Sequence, residues 1–153
     1  MSVSQNLKSD LVKECQSILD QKIELLEKQL ADFKKAANNE TKSSVGDKYE
    51  TGRAMMHNEM DKLKQQQAQA ITAKAAFMQI QFNNKASKIQ LGSLVKTDKG
   101  TFLLAVALGK VVVQNQHYFV LSLASPIGQK LKGKKQGDSI TLNNQCFTVL
   151  KIE

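Results

Sequence analysis

The spacing of apolar residues changes period once, near residue 89, and no other feature constrains the fold as strongly. Before that point the spacing is helical. Over residues 5–37, Val12, Leu19, Leu26 and Phe33 recur every seven residues, with Leu11, Ile18 and Leu25 beside them and Ile23 and Leu30 completing a broad stripe. No Gly or Pro interrupts the run, so it predicts one long amphipathic helix. Glu24 and Lys28 add a favourably ordered i,i+4 pair. The stripe stops at Ala36-Ala37-Asn38-Asn39, and a polar stretch runs from Glu40 to Gly46. Helical period resumes from about Asp47 to Asn83, where Met56, Leu63, Ala70 and Phe77 are again seven apart, supported by Met60, Ile71 and Ile80. Each helix would be roughly 50–55 Å long at a rise of about 1.5 Å per residue. That is too long for one compact globule of 153 residues. The pair is therefore expected to fold back as an antiparallel coiled-coil hairpin. Ala70, Ala73 and Ala76 would face inward and let the helices approach closely.

After residue 89 the period becomes two. Residues 90–97, 101–107, 110–114 and 117–123 alternate or are β-branched and apolar, separated by Asp98-Lys99-Gly100, Leu108-Gly109 and Asn115-Gln116. Ser125 reads as an N-cap, Pro126 as the first helical residue and Gly133 as the C′ stop of a short helix. Residues 138–142 and 145–152 form a closing hairpin around Asn143-Asn144. The expected fold class is α+β: a helical hairpin over 1–86, with its tip at about 38–50, then a small antiparallel β domain over 87–153 with one short helix.

Charge is also uneven along the chain, dividing at about residue 70. Residues 1–70 hold 11 basic and 11 acidic side chains, while 71–153 hold 11 Lys against Asp98, Asp138 and Glu153, which accounts for the whole net charge of +8. A basic C-terminal part fits nucleic acid, an acidic protein surface, or a merely solvated face. The single Arg, Arg53, disfavours direct base reading in DNA, which leans on bidentate arginine. Cys15 and Cys146 form no CxxC pair and no metal-ligand spacing, and are expected to be small, partly buried apolar residues. No HExxH, EF-hand loop, GxGxxG, GxSxG or phosphate-loop spacing occurs, and His57 and His117 have no second ligand nearby. No apolar run approaches the roughly 18–20 residues of a membrane span. The first residues, Met1 to Asn6, lack the order of a secretory signal, so the expected compartment is the cytoplasm.

The tip then carries the remaining chemistry: Glu40, Asp47, Lys48, Tyr49, Glu50 and Arg53. Carboxylates there suit a hard cation such as Mg²⁺ or an oriented water; the competing reading is a solvated turn in which Asp47 caps the second helix.

The run from Ser125 to Asp138, Ser-Pro-Ile-Gly-Gln-Lys-Leu-Lys-Gly-Lys-Lys-Gln-Gly-Asp, resembles the signature of GreA/GreB-type transcript-cleavage factors. So does the ending Phe147-Thr148-Val149-Leu150-Lys151-Ile152-Glu153, and the hairpin ahead of it matches that family's architecture. The resemblance implies an FKBP-like C-terminal domain that docks on bacterial RNA polymerase, with the coiled coil entering the secondary channel. The expected docking residues are Ser125, Pro126, Gly133 and Asp138 of that signature, together with Lys130, Lys132, Lys134 and Lys135, whose charges cluster; the competing reading is that Lys134 and Lys135 only solvate a turn. Tip acids would help hold Mg²⁺ and a water in the polymerase's own active site, beside the nascent RNA 3′ end. The factor would be a cytoplasmic monomer with no cofactor of its own, and not itself an enzyme. Tyr49 and Arg53 match supporting tip positions, with Gly52 where the family has Ala. In that ungapped register Lys42 and Val45 occupy the two key acidic positions. A shift of three puts Asp47 on the second and Ser44 on the first. Asp47 and Glu50, at i and i+3, are the local substitutes.

Three functions follow as expectations. One is a cleavage-stimulating elongation factor using Asp47 and Glu50. A second is a non-cleaving channel regulator. The third is an FKBP-type prolyl isomerase, for which Phe102, Tyr118, Phe119 and Phe147 are the only aromatics of the domain, with Tyr118 and Phe119 on opposite faces of a strand.

Overall fold

The computed structural model describes residues 3–41, 48–83 and 86–153. Two compact units are present: one joins Met1–Ser17 to Ala76–Glu153, the other is Ile18–Ala75.

Helix α1 runs Val3–Thr41 and helix α2 runs Lys48–Gln79. α1 continues past the end of its apolar stripe, because Ala36 and Ala37 are strong helix formers and nothing after them forbids helical backbone. α2 ends at Gln79, short of the expected Asn83. There Ile80 N–H donates to the Phe77 carbonyl (3.1 Å) and the Phe82 ring folds back onto Phe77, 5.1 Å between centroids.

The helices run antiparallel. In the helical unit, Lys74 of α2 pairs with Asp20 of α1. In the other unit, the Gln16 amide meets the Met78 sulfur at 3.4 Å. Leu19, Leu26 and Leu30 are buried, as are Ala70 and Phe77. The buried seam is narrower than the expected stripe: Leu25 and Ile71 are exposed at 56% and 49%. Ala76, expected to face inward, is exposed. A two-helix contact buries one a/d-type line, so residues flanking it stay in water.

The C-terminal part is a six-stranded sheet in the order β3-β4-β2-β1-β6-β5. Its strands are β1 (Leu94–Thr97), β2 (Gly100–Leu104), β3 (Gly109–Val113), β4 (Gln116–Leu121), β5 (Ser139–Leu142) and β6 (Gln145–Ile152). The sheet is mixed, not wholly antiparallel as expected: β2 and β4 run parallel, with Phe102, Leu103 and Leu104 opposite Phe119, Val120 and Leu121. Two hairpins close on two-residue turns with both central residues at positive φ, Gln114-Asn115 and Asn143-Asn144. That backbone matches the twist of the flanking strands. The first turn sits one residue earlier than expected.

Central strand β2 is buried on both faces, as its unbroken Phe102–Ala105 run requires. One face carries Phe102, Leu104, Val95, Phe147, Val149 and Ile140, closed by Ile89 and by Leu131 of the short helix α3 (Pro126–Leu131). Each such side chain contributes about 1.5–3 kcal/mol by leaving water. The opposite face receives the first turns of α1. There the Lys8 ammonium donates to the carbonyl oxygen of Glu153 (3.0 Å), and the Gln114 amide donates to the Asp10 carboxylate (3.2 Å). Tyr118 is buried on this face at 7% exposure, while Phe119 points the other way at 36%, as the strand period requires.

Candidate functional site

The segment from Ser125 to Asp138 is held at both ends by its own residues. Ser125 is the N-cap of α3: its Oγ accepts from Gly128 N–H (3.0 Å) and donates to the Ser122 carbonyl (2.7 Å). Pro126 supplies a first helical residue that needs no donor. Gly128 is required by space, since a Cβ there would lie 2.2 Å from the Ser122 carbonyl oxygen. At the other end Lys132 N–H returns to the Gly128 carbonyl (3.0 Å), and Gly133 turns the chain at φ +80°. Gly133 N–H then donates to Ile89 (2.8 Å), and Ile89 N–H to Lys134 (2.9 Å). The Asp138 carboxylate accepts from Lys135 N–H at 2.8 Å, closing the next turn.

This frame displays lysines. Lys130, Lys132 and Lys135 are exposed and Lys134 is half-buried. None of the four has an ion pair among the described residues. The bridge between Lys88 and Lys135 brings a fifth lysine beside them. Lys88 lies far from the signature in sequence, and its place depends on pairing that no local spacing encodes. Of the expected docking residues, Ser125, Gly133 and Asp138 build the frame, and Pro126, Lys130, Lys132 and Lys135 form its outer surface. Lysines carried on a backbone that the turn already holds can meet an acidic surface without ordering a loop first.

The tip residues are placed differently. Asp47 lies outside the described residues, as do Lys42, Ser44 and Val45. Tyr49 and Glu50 fall in the first turn of α2, but their side chains lie outside the described part. Arg53 is exposed one turn further on. Among the described residues no group of three or more His, Cys, Asp or Glu is arranged to hold a metal ion. No described helix is long and apolar enough to cross a membrane.

The aromatic residues do form a cluster: Phe102 lies 5.7 Å from Phe119 and 6.1 Å from Phe147, with the Lys99 ammonium 5.5 Å from the Phe147 ring centre. Phe102 and Phe147 are core residues, at 4% and 7% exposure. Both cysteines are free thiols. Cys15 is buried, but Cys146 is exposed on β6, contrary to the expectation of partial burial. Burial pushes the Cys15 thiol up to about 12, with the Glu14 charge adding to the effect.

No protein-family model and no curated protein matches the chain. Solved structures similar to it include the following two. One is the transcription factor Gfh1, 20% identical over 92% of this chain and 94% of that one, with a TM-score of 0.40. The other is the GreA factor homolog 1 (Gfh1) protein of Thermus thermophilus, 20% identical over 90% of this chain and 94% of that one, with a TM-score of 0.35.

Proposed function

We propose that the chain is a Gre-like transcription elongation factor that acts on backtracked or paused bacterial RNA polymerase. One observation carries this reading. A long antiparallel helical hairpin and the Ser125–Asp138 frame occur in one chain, and the frame presents lysines that have no ion pair among the described residues. In this reading the C-terminal domain docks on the polymerase through Pro126, Lys130, Lys132, Lys134 and Lys135. The hairpin tip, at about residues 38–50, enters the secondary channel. The polymerase performs the phosphodiester hydrolysis and owns the Mg²⁺. Asp47 and Glu50 lend carboxylate oxygens, the donor type that hard cations take. The factor has no cofactor of its own, is not an enzyme alone, and works in the cytoplasm as a monomer.

A second reading is favoured by the tip sequence. Lys42 and Val45 stand where the resemblance calls for acids, and a lone carboxylate neutralises a dication poorly. The chain is then a regulator that occupies the channel without stimulating cleavage. RNA cleavage in a backtracked complex, read beside a binding assay, separates the two. Shortened RNA that is lost with Asp47→Ala and Glu50→Ala supports the cleavage factor. Binding without shortened RNA supports the regulator. Absence of binding refutes both.

A further inference from the structure

The face of the sheet turned toward α1 holds a cavity of ≈ 610 Å³, a size that suits a small-molecule ligand. Its lining includes Leu7, Leu94, Lys96, Thr101, Tyr118 and Lys151. Register explains how these side chains come together. Lys96 on β1 is directly opposite Lys151 on β6 and directly opposite Thr101 on β2. Tyr118 precedes Phe119, the partner of Phe102, and so stands beside Thr101 on the next strand. One transverse row therefore reads Tyr118, Thr101, Lys96, Lys151.

Two lysines directly opposed on neighbouring strands repel each other. Only one is neutralised: Lys151 pairs with the Glu153 carboxylate at 2.8 Å, and no ion pair of Lys96 occurs among the described residues. A row of this kind leaves a positive centre at the cavity wall, with the Thr101 hydroxyl next to it as a donor. Leu7, Leu94 and the Tyr118 ring supply an apolar wall alongside. Lysine ammonium groups bind phosphate as point charges.

We propose that this cavity binds a phosphate-bearing small molecule of mononucleotide size, its phosphate between Lys96 and Lys151 and its planar part against the apolar side of the cavity at Leu7. Glu153 then acts as an internal competitor, because its carboxylate already occupies Lys151. The site is on the sheet face opposite Lys110, which is paired with Phe119. It is independent of the docking lysines and of the polymerase reading.

Calorimetric titration of the full chain with ADP, adenosine and inorganic phosphate tests the assignment. ADP is expected to bind saturably at one site, adenosine not to bind, and inorganic phosphate to bind more weakly than ADP. Lys96→Gln should weaken ADP roughly tenfold, as loss of a charge-assisted contact does. Glu153→Gln should tighten it, and Lys110→Gln, the same charge change on the other face, should leave it unchanged. Lys96 is exposed, so its replacement leaves the fold intact, which circular dichroism verifies. The assignment is overturned by absence of saturable ADP binding, by equal affinity for ADP and phosphate, or by equal weakening with Lys96→Gln and Lys110→Gln.

Discussion

Cys15 shows how one buried atom sets a pH limit. Its thiol is held up at about 12 from an ordinary 9.0, first by burial and then by Glu14. Between those values the folded chain keeps a proton that the unfolded chain has lost. The thiol's contribution to stability is therefore complete below pH 9 and disappears as pH rises toward 12, with a slope of at most about 1.4 kcal/mol per pH unit. Lys8 acts with the opposite sign, since burial lowers its pKa against the pull of Glu153. Comparison with Cys15→Ala isolates the thiol: denaturant unfolding from pH 8 to 11 should show the native chain losing stability relative to the variant. A pH-independent difference would contradict this. Gly128 sets a limit of space. A Cβ would press on the Ser122 carbonyl and lie 2.8 Å from the Ser125 Oγ, breaking the cap that holds α3. Gly128→Ala should cost about 1–3 kcal/mol, read as a lower unfolding midpoint. Gly52 offers the reverse case. It sits inside α2 with nothing within 4 Å of a built Cβ, so Gly52→Ala should stabilise by roughly 0.5–1 kcal/mol.

At the scale of elements, the helical seam discriminates between neighbours that composition treats alike. Leu26 is 5% exposed and Leu25 is 56% exposed. Leu26→Ala should lower stability by about 2–4 kcal/mol, as a cavity in a packed seam does, and Leu25→Ala by less than about 0.5. Equal effects in thermal unfolding would show that the seam is misplaced. The Lys74–Asp20 pair links the same helices but is exposed at both partners, so Asp20→Asn should change stability by less than about 1 kcal/mol. In the sheet, β1 and β6 shift register between Lys96 and Thr97, which leaves Leu150 without a partner on β1 and 45% exposed. The Asp98 carboxylate covers the irregularity by accepting from Thr148 N–H at 2.8 Å.

At the scale of the whole molecule, the charge excess gathers on the C-terminal frame, where the turn after α3 and the bridge to Lys88 collect five lysines. In the proposed function, docking through them should weaken as salt rises, since contacts between exposed charges are screened over about 8–10 Å. Combined Lys130→Gln and Lys132→Gln substitution should slow association with RNA polymerase and flatten that salt dependence, measured by surface-based binding kinetics. An unchanged slope would place the contact elsewhere.

Much of the fold was legible in the chain itself. Period seven marks α1 and α2 and period two marks the strands, because side-chain direction repeats with local backbone geometry. The Ser125 cap, the Gly133 stop and the Asn143-Asn144 turn are equally local, each set by what one or two residues permit. Less of the candidate site was legible. The signature lysines stand in a row in sequence, but Lys88 reaches them only through a bridge to Lys135, and Lys96 meets Lys151 only through strand register. The parallel pairing of β2 and β4, and the choice of Leu26 over Leu25, are of the same kind. Local spacing says which face a residue occupies within its own element. Which other element covers that face depends on contacts between distant residues, and only tertiary structure decides those.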